Sequence, residues 1–196
     1  YMQELCPKGD WKMAAIMGLT EDQVNEGISK VKSGFVKAVN FNTEGQIVLS
    51  GETKAIEEAC TYLKEMGAKR ALPLNTAGPF HTEKLIESSK ALREELENYT
   101  FNKFESKVIK NLTGDTYYSD EDNIKEILAE HIINPVQFKK TLKKMLEERI
   151  DTFIEIGPGK TLSGFIKRIE TDKEIKILNI SNVETYKNTL SILKGE

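Results

Sequence analysis

Two histidines hold most of the acid–base chemistry this sequence has to offer near neutral pH. His81 ends the stretch Asn75-Thr76-Ala77-Gly78-Pro79-Phe80-His81-Thr82, directly after a Gly-Pro turn and one residue before a helix start. A histidine titrates near neutral pH, and a stiff loop beside a regular element is a common way to present one as a general base. Position alone fits a surface or capping histidine better, because a lone histidine has no motif value. His131 ends a helical stretch of mixed charge and reads as a C-terminal cap. Cys6 and Cys60 form no CxxC or Cys/His spacing, so they read as reduced structural thiols. Gly157-Pro158-Gly159-Lys160-Thr161 looks like a phosphate loop but is not one. The glycine such a loop needs five residues before Gly159 is replaced by Ile154, inside a strand. No Gly-x-Ser-x-Gly elbow occurs; Gly27-Ile28-Ser29-Lys30-Val31 fails at its last position.

The elements around His81 fall into two textures. Residues 11–75 read as β-α-β-β-α-β. Lys12–Met17 is a strand, and Thr20-Glu21-Asp22-Gln23 is a capping box opening a helix to about Ser33. Phe35–Phe41 and Gln46–Ser50 form a hairpin around Asn42-Thr43-Glu44-Gly45. Thr53–Met66 is a helix and Arg70–Leu74 a strand. That order predicts a ferredoxin-like split unit, with two helices on one face of a four-stranded antiparallel sheet. After His81, strands alternate with helices. A helix is expected to about Asn98, a strand at Lys107–Asn111, and a helix from Ser119 to His131. A further helix follows Pro135, Thr152–Ile156 is a buried strand, and Lys176–Ile180 is a strand between the last two helices. Alternation of this kind implies a mostly parallel sheet.

Bulk properties narrow the function. Of 196 residues, 39% are hydrophobic and 30% charged, as in a globular protein with a core. With 28 basic against 31 acidic residues the net charge is −3, which argues against bulk nucleic-acid binding. No apolar run reaches membrane-spanning length and no signal segment opens the chain, so a cytoplasmic protein off the membrane is expected. Tyr1-Met2-Gln3-Glu4 reads as the inside of a helix with no cap before it, as in a segment of a longer chain.

Several stretches together carry a resemblance. In chain order they are Met13-Ala14-Ala15-Ile16, Asn40-Phe41-Asn42, Gly45-Gln46-Ile47-Val48-Leu49-Ser50-Gly51, Lys69-Arg70-Ala71-Leu72-Pro73-Leu74 and Gly78-Pro79-Phe80-His81. Asn134-Pro135-Val136-Gln137-Phe138 and Glu155-Ile156-Gly157-Pro158-Gly159-Lys160-Thr161-Leu162 follow. In order and spacing they resemble the C-terminal two thirds of the malonyl-CoA:acyl carrier protein transacylase family of fatty acid synthesis. The resemblance implies an α/β protein in three parts. Residues 1–10 would end a helix of the large subdomain, and 11–75 would be the ferredoxin-like small subdomain. Residues 76–196 would be the C-terminal part of the large, α/β hydrolase-like subdomain, with its mostly parallel sheet.

The resemblance also implies a reaction. In the family a serine attacks malonyl-CoA, a histidine takes and returns the proton, and the phosphopantetheine thiol of acyl carrier protein then accepts the malonyl group by ping-pong transfer. His81 matches that histidine. The backbone carbonyl at the position of Gln137 would orient it, in place of a carboxylate. Phe80 matches a position where a bulky ring goes with malonyl selection in related acyltransferases, though it reads equally well as a packing residue. Lys69, Arg70, Lys167 and Arg168 match positions implicated in docking the acidic carrier protein. Lys139, Lys140, Lys143 and Lys144 share a helical face but read as a solvated surface. The family's serine elbow, its oxyanion-hole glutamine segment and its carboxylate-binding arginine are not found, so this chain by itself is expected to be inactive. Malonyl-CoA enters as substrate, no cofactor or metal is expected, and the complete protein is expected to be a monomer. The alternatives are an acyltransferase domain of a polyketide synthase and a non-catalytic ferredoxin-like binding module.

Overall fold

The computed structural model describes residues 1–76, 78–169, 171–172 and 174–195. Ala77, in the histidine loop, lies outside the described residues. The chain divides into two compact units, residues 1–141 and 142–196. The units part within a helix.

In the first unit the early elements are β1 (Trp11–Met17), α1 (Glu21–Ser29), β2 (Val36–Thr43), β3 (Gln46–Glu52), α2 (Thr53–Glu65) and β4 (Arg70–Pro73). The strands form one antiparallel sheet in the order β2-β3-β1-β4. Four consecutive buried residues in β1, Met13 to Ile16, mean that both faces of the sheet are covered. One face holds Ala14, Ile16 and Leu49, packed with Val24 of α1 and with Ile56, Ala59 and Leu63 of α2. The other holds Met13, Ala15, Val39 and Val48, and the ring packed on it is Phe80. The histidine loop is therefore part of the second cover.

Local chemistry sets the boundaries. Thr20 and Gln23 cap α1 reciprocally: Thr20 N–H donates to Gln23 Oε1 at 2.9 Å and Gln23 N–H to Thr20 Oγ1 at 3.3 Å. The helix stops at Ser29 rather than Ser33 because the Glu58 carboxylate takes the N–H groups of Lys32 and Ser33 at 3.2 and 2.9 Å. The sequence predicts a helix from Thr82 to about Asn98. The structure breaks it into a single 3-10 turn (Glu83–Leu85), α3 (Ile86–Glu95) and a second 3-10 turn (Leu96–Asn98). No strand forms at Lys107–Asn111; Ile109 makes one isolated antiparallel bridge to Tyr117 across a turn. Residues 119–122 form a turn in which the Ser119 N–H donates to Asp122 Oδ2 at 2.7 Å, and α4 (Ile124–Ile133) starts only at Asn123, whose Oδ1 accepts the Glu126 N–H at 3.2 Å. α5 spans Phe138–Glu147 and contains the unit boundary.

In the second unit β5 (Thr152–Ile156) and β6 (Lys176–Ile180) pair in parallel, with α6 (Thr161–Ile166) between them and α7 (Val183–Lys194) after them. The expected mostly parallel sheet is parallel here and two strands wide among the described residues. β5 is also less covered than its apolar run suggests, with Phe153 buried but Ile156 77% exposed. Among the described residues no helix is long and apolar enough to cross a membrane.

Candidate functional site

Hydrogen bonds fix the loop before they fix the ring. Ser50 on β3 donates its hydroxyl to the Gly78 carbonyl at 3.1 Å, and the buried Thr82 hydroxyl donates to the Pro79 carbonyl at 2.6 Å. Thr82 then starts the helical turn, its Oγ1 accepting the Lys84 N–H at 3.3 Å. Gly78 has no room for a side chain, because a β-carbon there would lie 2.6 Å from the Phe80 ring. Between these anchors His81 takes φ 58°, in the left-handed region. A non-glycine residue holds that conformation at a cost of about 1–2 kcal/mol, and such strain gathers where geometry serves a task.

The His81 ring is half-buried. Its Nδ1 lies 3.0 Å from the carbonyl oxygen of His131, in the last turn of α4. A carbonyl only accepts, so Nδ1 carries the proton and Nε2 keeps the basic lone pair. The sequence explains why that carbonyl is open. Its helical partner would be the N–H of residue 135, and Pro135 has none. The neighbouring Glu130 carbonyl accepts instead from Asn134 Nδ2 at 2.8 Å. Burial pushes the His81 pKa below its ordinary value, and hydrogen bonding to the His131 and Asn134 backbone offsets part of this. The ring is thus neutral at pH 7 and able to accept a proton. Glu83, the nearest acid along the chain, is bound to Lys37 at 2.8 Å.

The Gln137 carbonyl does not take the place expected of it. It accepts the N–H groups of Lys140 and Thr141 at 3.0 and 3.2 Å, as the carbonyl that opens α5. Gly114 is pressed against it, and a β-carbon there would lie 2.4 Å from the oxygen. The carbonyl that meets His81 Nδ1 in the structure is that of His131. The Asn134–Phe138 segment is anchored beside the site by Val136, which exchanges backbone hydrogen bonds with Val39 and Phe41 of β2 at 2.8 and 2.9 Å.

His131 is the residue the sequence reading missed. Its ring centroid is 5.1 Å from that of His81, with the planes tilted by 39°. Its pKa is pushed down to about 4, first by burial and then by the neighbouring His81. Its Nε2 is buried and finds no hydrogen-bond partner among the described residues. The available signal was its place three residues before Asn134-Pro135, in a chain with only two histidines.

The remaining sequence-predicted residues fall in separate places. The Phe80 ring packs on Met13, Ala15, Val39 and Val48. Lys69 and Arg70 are exposed beside and at the start of β4 in the first unit, and Lys167 and Arg168 are exposed just after α6 in the second. In the lysine run, Lys139 reaches Glu21 and Glu44 at 3.5 and 3.6 Å and Lys144 reaches Glu148 at 3.3 Å. The run is therefore not a uniform basic face. A cavity of about 390 Å³ lined by Tyr99, Phe101, Lys103 and Asp120 lies elsewhere in the first unit and includes neither histidine. Among the described residues, no three His, Cys, Asp or Glu side chains gather where they could hold a metal ion.

No protein-family model matches the chain. Individual relatives do. Malonyl CoA-acyl carrier protein transacylase of Bacillus subtilis (strain 168) is 37% identical over 198 aligned residues, which take in 100% of this chain and 62% of that protein. The chain is a relative of the malonyl CoA-acyl carrier protein transacylases. The crystal structure of the transacylase from Clostridium perfringens superposes with a TM-score of 0.91 at 40% identity, over 99% of this chain and 60% of that one. A malonyl-transacylase solved in complex with a type II polyketide acyl-carrier protein superposes with a TM-score of 0.88 at 30% identity, covering 100% of this chain and 62% of that one. This chain thus spans less than two thirds of the length of the transacylases it matches.

Proposed function

We propose that this chain is the base-bearing part of a malonyl-CoA:acyl carrier protein transacylase. Nε2 of His81 takes the proton of a serine hydroxyl as that oxygen attacks the malonyl thioester, and returns it to the departing CoA thiolate. The same nitrogen then takes the proton of the phosphopantetheine thiol of an acyl carrier protein, the sulfur attacks the malonyl-serine ester and takes the malonyl group, and the proton passes to the serine oxygen as the ester bond breaks. The serine is not among these 196 residues in any elbow context. The chain therefore works as one part of a longer enzyme and turns nothing over by itself. Phe80, next to the base, sets the wall that favours malonyl over a branched acyl group. Lys69, Arg70, Lys167 and Arg168 meet the acidic carrier protein.

The observation that supports this reading best is the state of His81. It is a neutral imidazole on a strained, doubly anchored turn, with Nδ1 held at 3.0 Å by a carbonyl. A carbonyl fixes the tautomer that a base needs, although it stabilises the imidazolium less than a carboxylate does. The test is acylation followed by intact mass. The chain alone, and the chain completed with the remaining part of the Bacillus subtilis relative, are incubated with malonyl-CoA and desalted. Only the completed protein should gain a malonyl group, and His81→Ala should slow that gain by roughly 100-fold or more. Acylation of the chain alone would mean that another nucleophile operates here, and the reading would fail.

A further inference from the structure

We propose that the side chain of His131 is a positioning residue for His81: its ring is the flat wall that holds the His81 ring in the plane where Nδ1 meets the His131 carbonyl. The proposal rests on the reading of His81 as the base and adds to it the part that aims it.

Two contacts from one residue converge on His81. The first is the carbonyl on Nδ1 at 3.0 Å, left open by Pro135. The second is the ring, whose centroid lies 5.1 Å away at a tilt of 39°. That separation is within the range at which aromatic rings pack favourably. Hydrogen bonds from the ring edge to backbone carbonyls fix where the nitrogen lies but leave the plane of an imidazole free to tilt about them. A ring packed beside it removes that freedom. Nε2 of His131 does not explain the contact, because it is buried with no partner among the described residues. What the site uses is the flat shape. The ring must also stay uncharged, since a second cation here would oppose the imidazolium that His81 becomes on taking a proton.

The chain has two histidines, so a single substitution leaves one imidazole to observe. Long-range proton–nitrogen correlation spectra of ¹⁵N-labelled chain, taken at about pH 8 where both rings are neutral, report which nitrogen carries the proton. Wild type and His131→Phe should each show one species for His81, protonated on Nδ1. His131→Ala keeps the carbonyl but removes the wall. It should lose the single pattern, with the two nitrogen signals drawn toward each other by exchange between tautomers. If His131→Ala does not fold, His131→Leu takes its place with the same expected loss, because leucine fills volume without a flat face.

A wild-type pattern in the truncated variant overturns the proposal. So does His131→Phe behaving like His131→Ala, which would show that the nitrogens matter. The readout does not involve acyl transfer. If the tautomers behave as expected but the completed protein is not acylated, the reading of His81 as a base falls and the positioning contact stands. If the completed protein is acylated but the tautomers do not respond, the positioning contact alone falls.

Discussion

The sheet of the first unit and the sheet of the second are built from equally apolar strands and are covered very differently. In β1 and β3, residues on both faces are buried: Ala14, Ile16 and Leu49 under the helices, Met13, Ala15 and Val48 under Phe80. In β5, Phe153 is buried while Ile154 is 39% and Ile156 77% exposed. An apolar strand states a demand for cover, and neighbouring elements decide whether it is met. Four strands with two helices and a loop meet it, whereas a pair of strands is marginal by itself. The candidate base sits on the well-covered side of this contrast. His81 follows Phe80 directly, so the packing that closes the sheet also sets where the imidazole begins.

The contrast breaks first if core truncations cost the same in both sheets. Leu49→Ala should lose about 3 kcal/mol, as for other fully buried leucines. Trp11, in β1, is the only tryptophan and reports this unfolding by fluorescence. Ile156→Ala should change stability by no more than about 0.5 kcal/mol, because most of that side chain already meets water. Equal losses would mean that β5 is buried in solution.

A smaller effect tests the link between sheet cover and site. Gly78→Ala places a β-carbon 2.6 Å from the Phe80 ring. The ring must move off Met13, Ala15, Val39 and Val48, at a cost of about 1–3 kcal/mol. Because Phe80 precedes His81, the tautomer pattern of His81 should change as well. A stability loss with His81 unmoved would separate the sheet cover from the site.

Much of the first unit is legible in the sequence. Turn residues and short apolar or alternating runs mark β1 through β4, and the Thr20/Gln23 box marks the start of α1 from both of its partners. What is not legible depends on distant groups. α1 ends early because Glu58, 25 residues beyond Ser33, takes the N–H groups that a longer helix would need. Residues 107–111 have strand-like texture, but texture cannot tell a ladder from one bridge. At the site, the position of His81 in a rigid loop is legible, whereas its partner is not. The resemblance points to the Gln137 carbonyl, which here opens α5. The clue was Pro135, whose missing N–H frees the carbonyl four residues before it. Nothing in the spacing shows that His81 and His131, 50 residues apart, bring their rings together.

The smallest effect separates the two units by pH. His131 has its pKa pushed down to about 4 in the folded chain, against an ordinary value near 6.5. Between those values the unfolded chain binds a proton that the folded chain does not. Stability is therefore full above pH 6.5 and falls as the pH drops toward 4. His81, also lowered, acts with the same sign. Carboxylates held low, such as Glu97 at about 2, titrate below this range and leave the interval from pH 7 to 5 to the histidines. Both histidines lie in the first unit and none lies in residues 142–196. Lowering the pH from 7 to 5 should thus destabilise the folded unit whose unfolding Trp11 reports, by about 1 kcal/mol from His131 once its partial exposure is discounted. Opening of the β5 and β6 amides, followed by hydrogen exchange corrected for intrinsic rates, should not show this loss. His131→Phe should remove most of the pH dependence and leave the share due to His81. An equal loss in both units, or an unchanged slope in His131→Phe, would mean that the ring beside His81 is charged or solvated in the folded chain, and the wall proposed for His81 would have to be drawn differently.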